Sequence, residues 1–428
     1  MSFSQISKRF VQLSFQDKYI LSFERDDFPF NSHLVVEFKN EIDFEKLKKT
    51  FKDYLKAEDF LRLKPHFDRG DFEIQEYNEE KASSSFDFVS SVAEFENARN
   101  RKFNFEIEYA VRITVFLNDK KILLSFHHSM FDGHAQFNFL KDFLDIYSQN
   151  GHYKPRSLND VYKFRKYFKT LNFSWIKGLL IETFNYTFKK EKKEIRKKIA
   201  RLYDHEPKSR LVDYKIINLE RSIVDKGVRK FALSSSAYIA LLMAKALDKT
   251  LRDRGDLDSP IVLYIPKSMR FEFKVMRHFQ NLLGFIWLKI NRENIDSAEF
   301  EKQFRDTYKF RSKEDEVKKT LLLAAIFVKF KKYIDLKKGL TKKETKIHDC
   351  SLIISSGRTP SDIVFPEEWG VDRLYAVGSM TRSPGIGVLS TSYGSRDFVT
   401  VEYLRDAFDV KTIEIFCENF LALASEKF

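Results

Sequence analysis

His127-His128-Ser129-Met130-Phe131-Asp132-Gly133 concentrates the chemistry of this chain. Two adjacent imidazoles close an apolar run, Ile122-Leu123-Leu124-Ser125-Phe126, and an Asp-Gly pair follows before an amphipathic segment begins. A strand that ends in a histidine sets that ring at the edge of a sheet, within a substrate's reach. Imidazole is the side chain whose ordinary pKa suits proton transfer near neutral pH. Side chains alternate along a strand, so the two rings point to opposite sides; His128 is the candidate base and His127 is read as structural. Asp132 stands where a helix begins, and its carboxylate would cap the first turn by accepting backbone N–H groups. Gly133 lets the backbone turn sharply and come close to a substrate, and its N–H would help hold an oxyanion. His127, His128, Asp132 and His134 are also potential metal ligands. Strand alternation and the Asp-Gly turn scatter them and no standard zinc spacing fits, so no metal is expected.

The flanking sequence must position these residues. Val111 to Phe116 and Lys121 to Phe126 are β-rich runs separated by Leu117-Asn118-Asp119-Lys120, which reads as a hairpin turn. After Gly133, Phe137, Leu140, Leu144 and Tyr147 form one apolar helical stripe, stopped by Asn150-Gly151. Leu34 to Phe38 suggests a strand, and Phe44, Leu47, Phe51 and Leu55 fall at helical spacing. Residues 1–150 therefore read as an α/β lobe, 151–210 as a basic, aromatic-rich connection and 211–428 as a second lobe. In that lobe Ser235 or Ser236 would cap a helix to about Leu251. Ile261 to Ile265 reads as a strand ended by Pro266, and Phe285 to Ile290 as another. Ile386–Tyr393 and Phe398–Tyr403 suggest a hairpin about Gly394-Ser395. Val410 to Ala424 reads as a helix turning Ile413, Phe416, Phe420 and Leu423 inward.

Bulk composition agrees with a globular chain. At 428 residues, 43% hydrophobic and 15% aromatic, there is material for two fused lobes with packed cores rather than a disordered or repetitive polymer. Cys350 and Cys417 stand far apart and read as two buried thiols in a reducing compartment. No basic segment followed by an apolar core opens the chain, and no apolar run approaches a membrane span. The expected location is the cytoplasm, with peripheral attachment to a membrane as the variant.

The net charge of +13 is concentrated: Lys154 to Arg201 alone carries +11, leaving +2 for the rest. This window interleaves cations with Phe173, Trp175, Leu179, Leu180, Phe184, Tyr186 and Phe188; a second patch runs from Thr320 to Tyr333. It reads as a solvated linker whose aromatics pack on the core, or as an interfacial segment meeting anionic lipid headgroups. No recognised nucleic-acid module accompanies it, which counts against a nucleic-acid partner. An acidic protein or a phosphate-bearing ligand would also be drawn to it.

HHxxxDG resembles the signature of the condensation-domain and chloramphenicol-acetyltransferase-like superfamily of acyltransferases. Other segments match in the same order. They are Ile42 to Leu47 with Phe60-Leu61-Arg62; Tyr109 to Ile113; Ser234 to Leu242; Tyr264 to Arg270; Phe279 to Gly284; and Ile354 to Arg358. Ser356 stands where the family's "SNxGR" strand has asparagine. Ser392 to Asp397 replaces the plant-type DFGWG element, which favours the condensation-like and lipid-ester branches, the latter including wax ester synthase-like and polyketide-associated members.

The resemblance implies two fused α/β sandwich lobes with a central tunnel, and transfer of an acyl group from an acyl-CoA or acyl-carrier thioester without a bound cofactor. His128 would take the acceptor's proton. Asp132 would turn away from substrate and pair with an arginine, for which Arg270 is the choice and Arg62 and Arg112 are competitors. Asn281 and Ser356 would line the channel or pack. The acceptor is expected to be a hydroxyl, first a lipid or alcohol. The alternatives are amide formation by a free-standing condensation enzyme and a non-catalytic lobe pair that binds a membrane or partner.

Overall fold

The computed structural model describes residues 10–12, 15–21, 29–66, 71–149, 153–156, 199–205, 207–208, 211–329, 350–378, 380–381 and 383–426. Most of the basic window 154–201, the part of the second patch after Lys329, and the Asn150-Gly151 stop lie outside these residues. In the first half the elements are β1 (Phe10–Gln12), α1 (Phe15–Leu21), β2 (Asn31–Phe38), α2 (Phe44–Ala57), β3 (Leu63–His66), β4 (Asp71–Ile74), α3 (Glu79–Ser84), β5 (Phe86–Val89), α4 (Val92–Asn100), β6 (Val111–Phe116), β7 (Lys121–His127) and α5 (Gly133–Tyr147). The second half has β8 (Val212–Glu220), α6 (Arg221–Phe231), α7 (Ser235–Asp253), β9 (Ile261–Ser268), α8 (Arg270–Phe273), β10 (Leu283–Ile290), α9 (Ala298–Arg311), α10 (Glu314–Lys329), β11 (Leu352–Ser356), β12 (Val371–Val377), β13 (Ile386–Tyr393), β14 (Arg396–Leu404) and α11 (Val410–Ser425).

Two larger sheets organise these elements, giving the expected α/β class. One has the order β12-β2-β7-β6-β5, the other β10-β9-β11-β13-β14-β8; β1, β4 and β3 form a small third sheet. The motif strand β7 lies between β2 and β6, antiparallel to both, with Asn31 opposite His127 and Val111 opposite Phe126. Even-numbered side chains of β7, Ile122, Leu124 and Phe126, enter the first core with the α5 stripe Phe137, Leu140, Leu144 and Tyr147. Leu123 points the other way and joins Val35, Phe116, Tyr375 and Phe398 in a cluster between the two sheets. The second core gathers α7, α11 and the buried face of the second sheet. Cys350 and Cys417 are buried and free, and burial pushes the Cys417 thiol up to about 12.

The chain departs from its expected outline at several points. Ser234, not Ser235 or Ser236, caps α7 by accepting from the Ala237 N–H at 3.2 Å. β9 continues through Pro266 to Ser268. The proline lies past Leu263 and Tyr264, the residues paired with β11, so its missing N–H takes nothing from that ladder. Leu423 is half-buried, and Ala424 is the buried residue at that end of α11. β12 crosses from the second half to the first: its residues pair antiparallel with β2, at the edge of the first sheet. α1 crosses the other way. Gln16 brackets the backbone of Leu283 in the second half, accepting from its N–H at 3.2 Å and donating to its carbonyl.

Candidate active site

β7 ends because its backbone finds other partners. The N–H of His127 donates to the Ala110 carbonyl at 3.0 Å and that of His128 to the Phe30 carbonyl at 2.9 Å. The chain then turns, with the Met130 N–H donating back to His127. The two rings face different surroundings. His127 is buried, its Nδ1 is 2.7 Å from the Ser129 hydroxyl, and the edges of Phe103 and Phe105 enclose it. His128 is half-buried and stacks on Phe30 at 5.3 Å between centroids. Its Nδ1 is sealed from solvent, so the residue's accessible surface belongs to other atoms. Burial holds the His128 pKa below the ordinary imidazole range; its own carbonyl, that of Phe131 and the Asp132 charge pull the other way. A neutral ring with one nitrogen sealed could exchange a proton with a ligand only through the other, Nε2.

Asp132 performs two tasks with its two oxygens. Oδ1 accepts from the Ala135 N–H at 2.9 Å and caps α5. Oδ2 accepts from Arg270 Nη1 at 2.5 Å and from the Leu282 N–H at 2.9 Å. Arg270 is itself fully buried, and its Nη2 donates to the carbonyls of His278 and Gln280 at 3.0 and 2.6 Å. The pair thus joins the motif loop of the first half to the loop before β10 of the second. The competing arginines are engaged elsewhere. Arg62 pairs with Asp59 and caps the Leu55 and Lys56 carbonyls, whereas Arg112 pairs with Glu108.

Gly133 is exposed at the first position of α5, and a Cβ placed there would meet nothing within 4 Å. Its N–H belongs to the helix's first turn, whose donors have no intrahelical acceptor. His134, the next residue, is held below the ordinary imidazole range by burial and by Arg270. Among the described residues there is no cluster of His, Cys, Asp and Glu of the kind that holds a metal.

Of its two expected places, Asn281 takes the packed one: it is a fully buried tie. Its Nδ2 lies 3.0 Å from the His128 carbonyl, 2.7 Å from that of Ser129 and 3.3 Å from Asp17 Oδ1. Asp17 is a residue that motif reading missed. Its place on α1 offers no spacing signal; only the return of α1 to the second half sets it beneath the motif. A narrow apolar cavity there is lined by Asp17, Phe60, Met130, Phe131, Phe279 and Gln280. Ser356 ends β11 in the second sheet, where its carbonyl accepts from the Ser236 hydroxyl at 3.2 Å; its described partners do not include the motif.

No family model matches this chain, nor does any curated protein. Solved structures do match over nearly all of it. The trichothecene 15-O-acetyltransferase from Fusarium sporotrichioides is 11% identical, with a TM-score of 0.71 over 99% of this chain and 96% of that one. The condensation domain of the monacolin K polyketide synthase is 13% identical, with a TM-score of 0.66 over 97% of each chain. The epimerization domain from the third module of tyrocidine synthetase B is 13% identical, with a TM-score of 0.65 over 99% of this chain and 97% of that one. At such identities the likeness is one of fold.

Proposed function

The chain has the condensation-domain and chloramphenicol-acetyltransferase-like fold, and on that premise we propose that it moves an acyl group from a thioester donor to a hydroxyl acceptor. The observation that carries this reading is the state of His128: half-buried, neutral by desolvation, one nitrogen sealed, on a loop pinned by Asp132, Arg270 and Asn281. Nε2 takes the acceptor's proton as its oxygen attacks the thioester carbonyl. The tetrahedral oxyanion forms beside the first turn of α5, where the Gly133 N–H is available to it. Collapse reforms the carbonyl and breaks the carbon–sulfur bond; the departing sulfur receives the proton from the imidazolium. The ester and a free thiol leave, and no acyl-enzyme is formed.

The donor is an acyl-CoA or an acyl-carrier thioester, and the acceptor class is a lipid or alcohol. Support comes from an acetyltransferase and condensation domains among the structures that share the fold. The test is His128→Ala assayed with a panel of acyl thioesters and alcohols. Ester formation should fall by about 10²–10⁴-fold, the usual worth of a positioned base, with circular dichroism unchanged. Equal turnover in both proteins overturns the assignment.

A further inference from the structure

The turn that carries Arg270 also carries Phe271, and the two side chains have opposite fates. Arg270 is fully buried against Asp132, whereas Phe271 is 84% exposed. Met276 follows at 47% exposure, and Val364 reaches 74% on another loop. Isolated exposed apolar residues are ordinary, but these lie together. Asn138 of α5 donates to the Met276 carbonyl at 2.8 Å, and Lys141 of α5 is 3.7 Å from Asp362, two residues before Val364. The two loops therefore flank the outer face of α5, whose first residue is the exposed Gly133.

Cations surround the apolar tips. Lys274 is exposed and closes α8 in the left-handed region at φ 56°. Arg277 is exposed as well; its Nη2 is 3.4 Å from the carbonyl of exposed Lys154 and 3.4 Å from Oδ1 of buried Asp142. Of the acids of this face, Glu272 pairs with Lys267 at 2.8 Å, and Asp145 and Asp362 share Lys141 at 3.1 and 3.7 Å. We propose that this face, with Phe271 at its tip and Lys274, Arg277 and Lys154 around it, rests on an anionic lipid surface. Protruding apolar side chains among cations suit a bilayer interface: the apolar tips enter the acyl boundary and the cations stay at headgroup level. A protein partner would need a matching recess for each of three separate knobs, and a fluid bilayer needs none. Seated this way, the chain would present the N-terminus of α5 near the membrane. The proposal stands apart from the acyl-transfer reading, because lipid binding is measured without turnover.

The test places a reporter at the tip. Cys350 and Cys417 are buried, so Phe271→Cys in the full chain accepts a polarity-sensitive fluorophore at one site. Phosphatidylcholine vesicles containing phosphatidylglycerol should shift its emission to the blue, and brominated lipid should quench it. Pure phosphatidylcholine should do far less. Lys274→Glu in the labelled protein should weaken binding roughly tenfold, and added salt should weaken it further. The same label at Val92→Cys, 61% exposed elsewhere on the molecule, should not respond. An unresponsive reporter at 271 overturns the proposal even if the chain sediments with vesicles, since another segment would then bind them. A response to an acidic helical protein and none to vesicles overturns it in favour of a protein partner.

Discussion

His128 gains its basic form from its surroundings rather than from a strong partner. Burial disfavours the imidazolium more than the nearby carbonyls and Asp132 favour it, so the ring's pKa lies below its ordinary 6.5. The unfolded chain therefore binds a proton that the native ring resists, and this group's contribution to stability is lost as pH falls below about 6.5. The same sign governs catalysis. With an acyl thioester and an alcohol, kcat/KM should climb through an apparent pKa lower than 6.5 and be flat from pH 7 to 8. An acidic limb centred above 6.5 would mean that another group supplies the base.

At the scale of elements, Asp132 and Arg270 tie the N-terminus of α5 to the loop that precedes β10. Both side chains are at most 1% exposed. Breaking a buried pair from one side strands the other charge, at a cost of about 3–5 kcal/mol. Arg270→Ala should lose stability on that scale in urea unfolding and lose most turnover, since the His278 and Gln280 carbonyls lose their donor too. Asp132→Asn keeps an acceptor for the Ala135 N–H but leaves the buried Arg270 charge unpaired, so its cost should be similar. A small cost for both variants would place the stabilising role in the cap, which both leave intact, rather than in the tie between halves.

Across the whole molecule, the junction of the two sheets contains a fully buried carboxyl, Glu402, on the face of β14 that also carries Phe398. Its Oε1 accepts from the Gly378 N–H just beyond β12. Burial pushes its pKa up to about 8, against the pull of that N–H and of Arg99. The native state thus holds a proton that the unfolded chain releases near 4.5, and Glu402 costs stability increasingly from there up to about pH 8. Glu402→Gln should match wild type near pH 4, become progressively more stable relative to it on going to pH 8, and keep a constant advantage above. Chemical unfolding across that range measures the difference, and a pH-independent one would show the carboxyl to be ionised in both states.

Local rules determined much of this protein. Alternation marked β6 and β7, a helical stripe marked α5, and Asp132 before Gly133 foretold the cap, because each depends on neighbours a few residues apart. The resemblance named Arg270 ahead of Arg62 and Arg112 as the partner of Asp132; it is the folding of Arg270 onto the motif loop that makes the pair. Asn281 donates to the His128 and Ser129 carbonyls and to Asp17, the last across a sequence separation of 264 residues. β12 changes sheets for a similar reason: its pairing with β2 is set by where the second half returns to the first. Periodicity encodes which side of an element is buried, but not which distant element covers it; that choice belongs to the packing of the two halves as a whole.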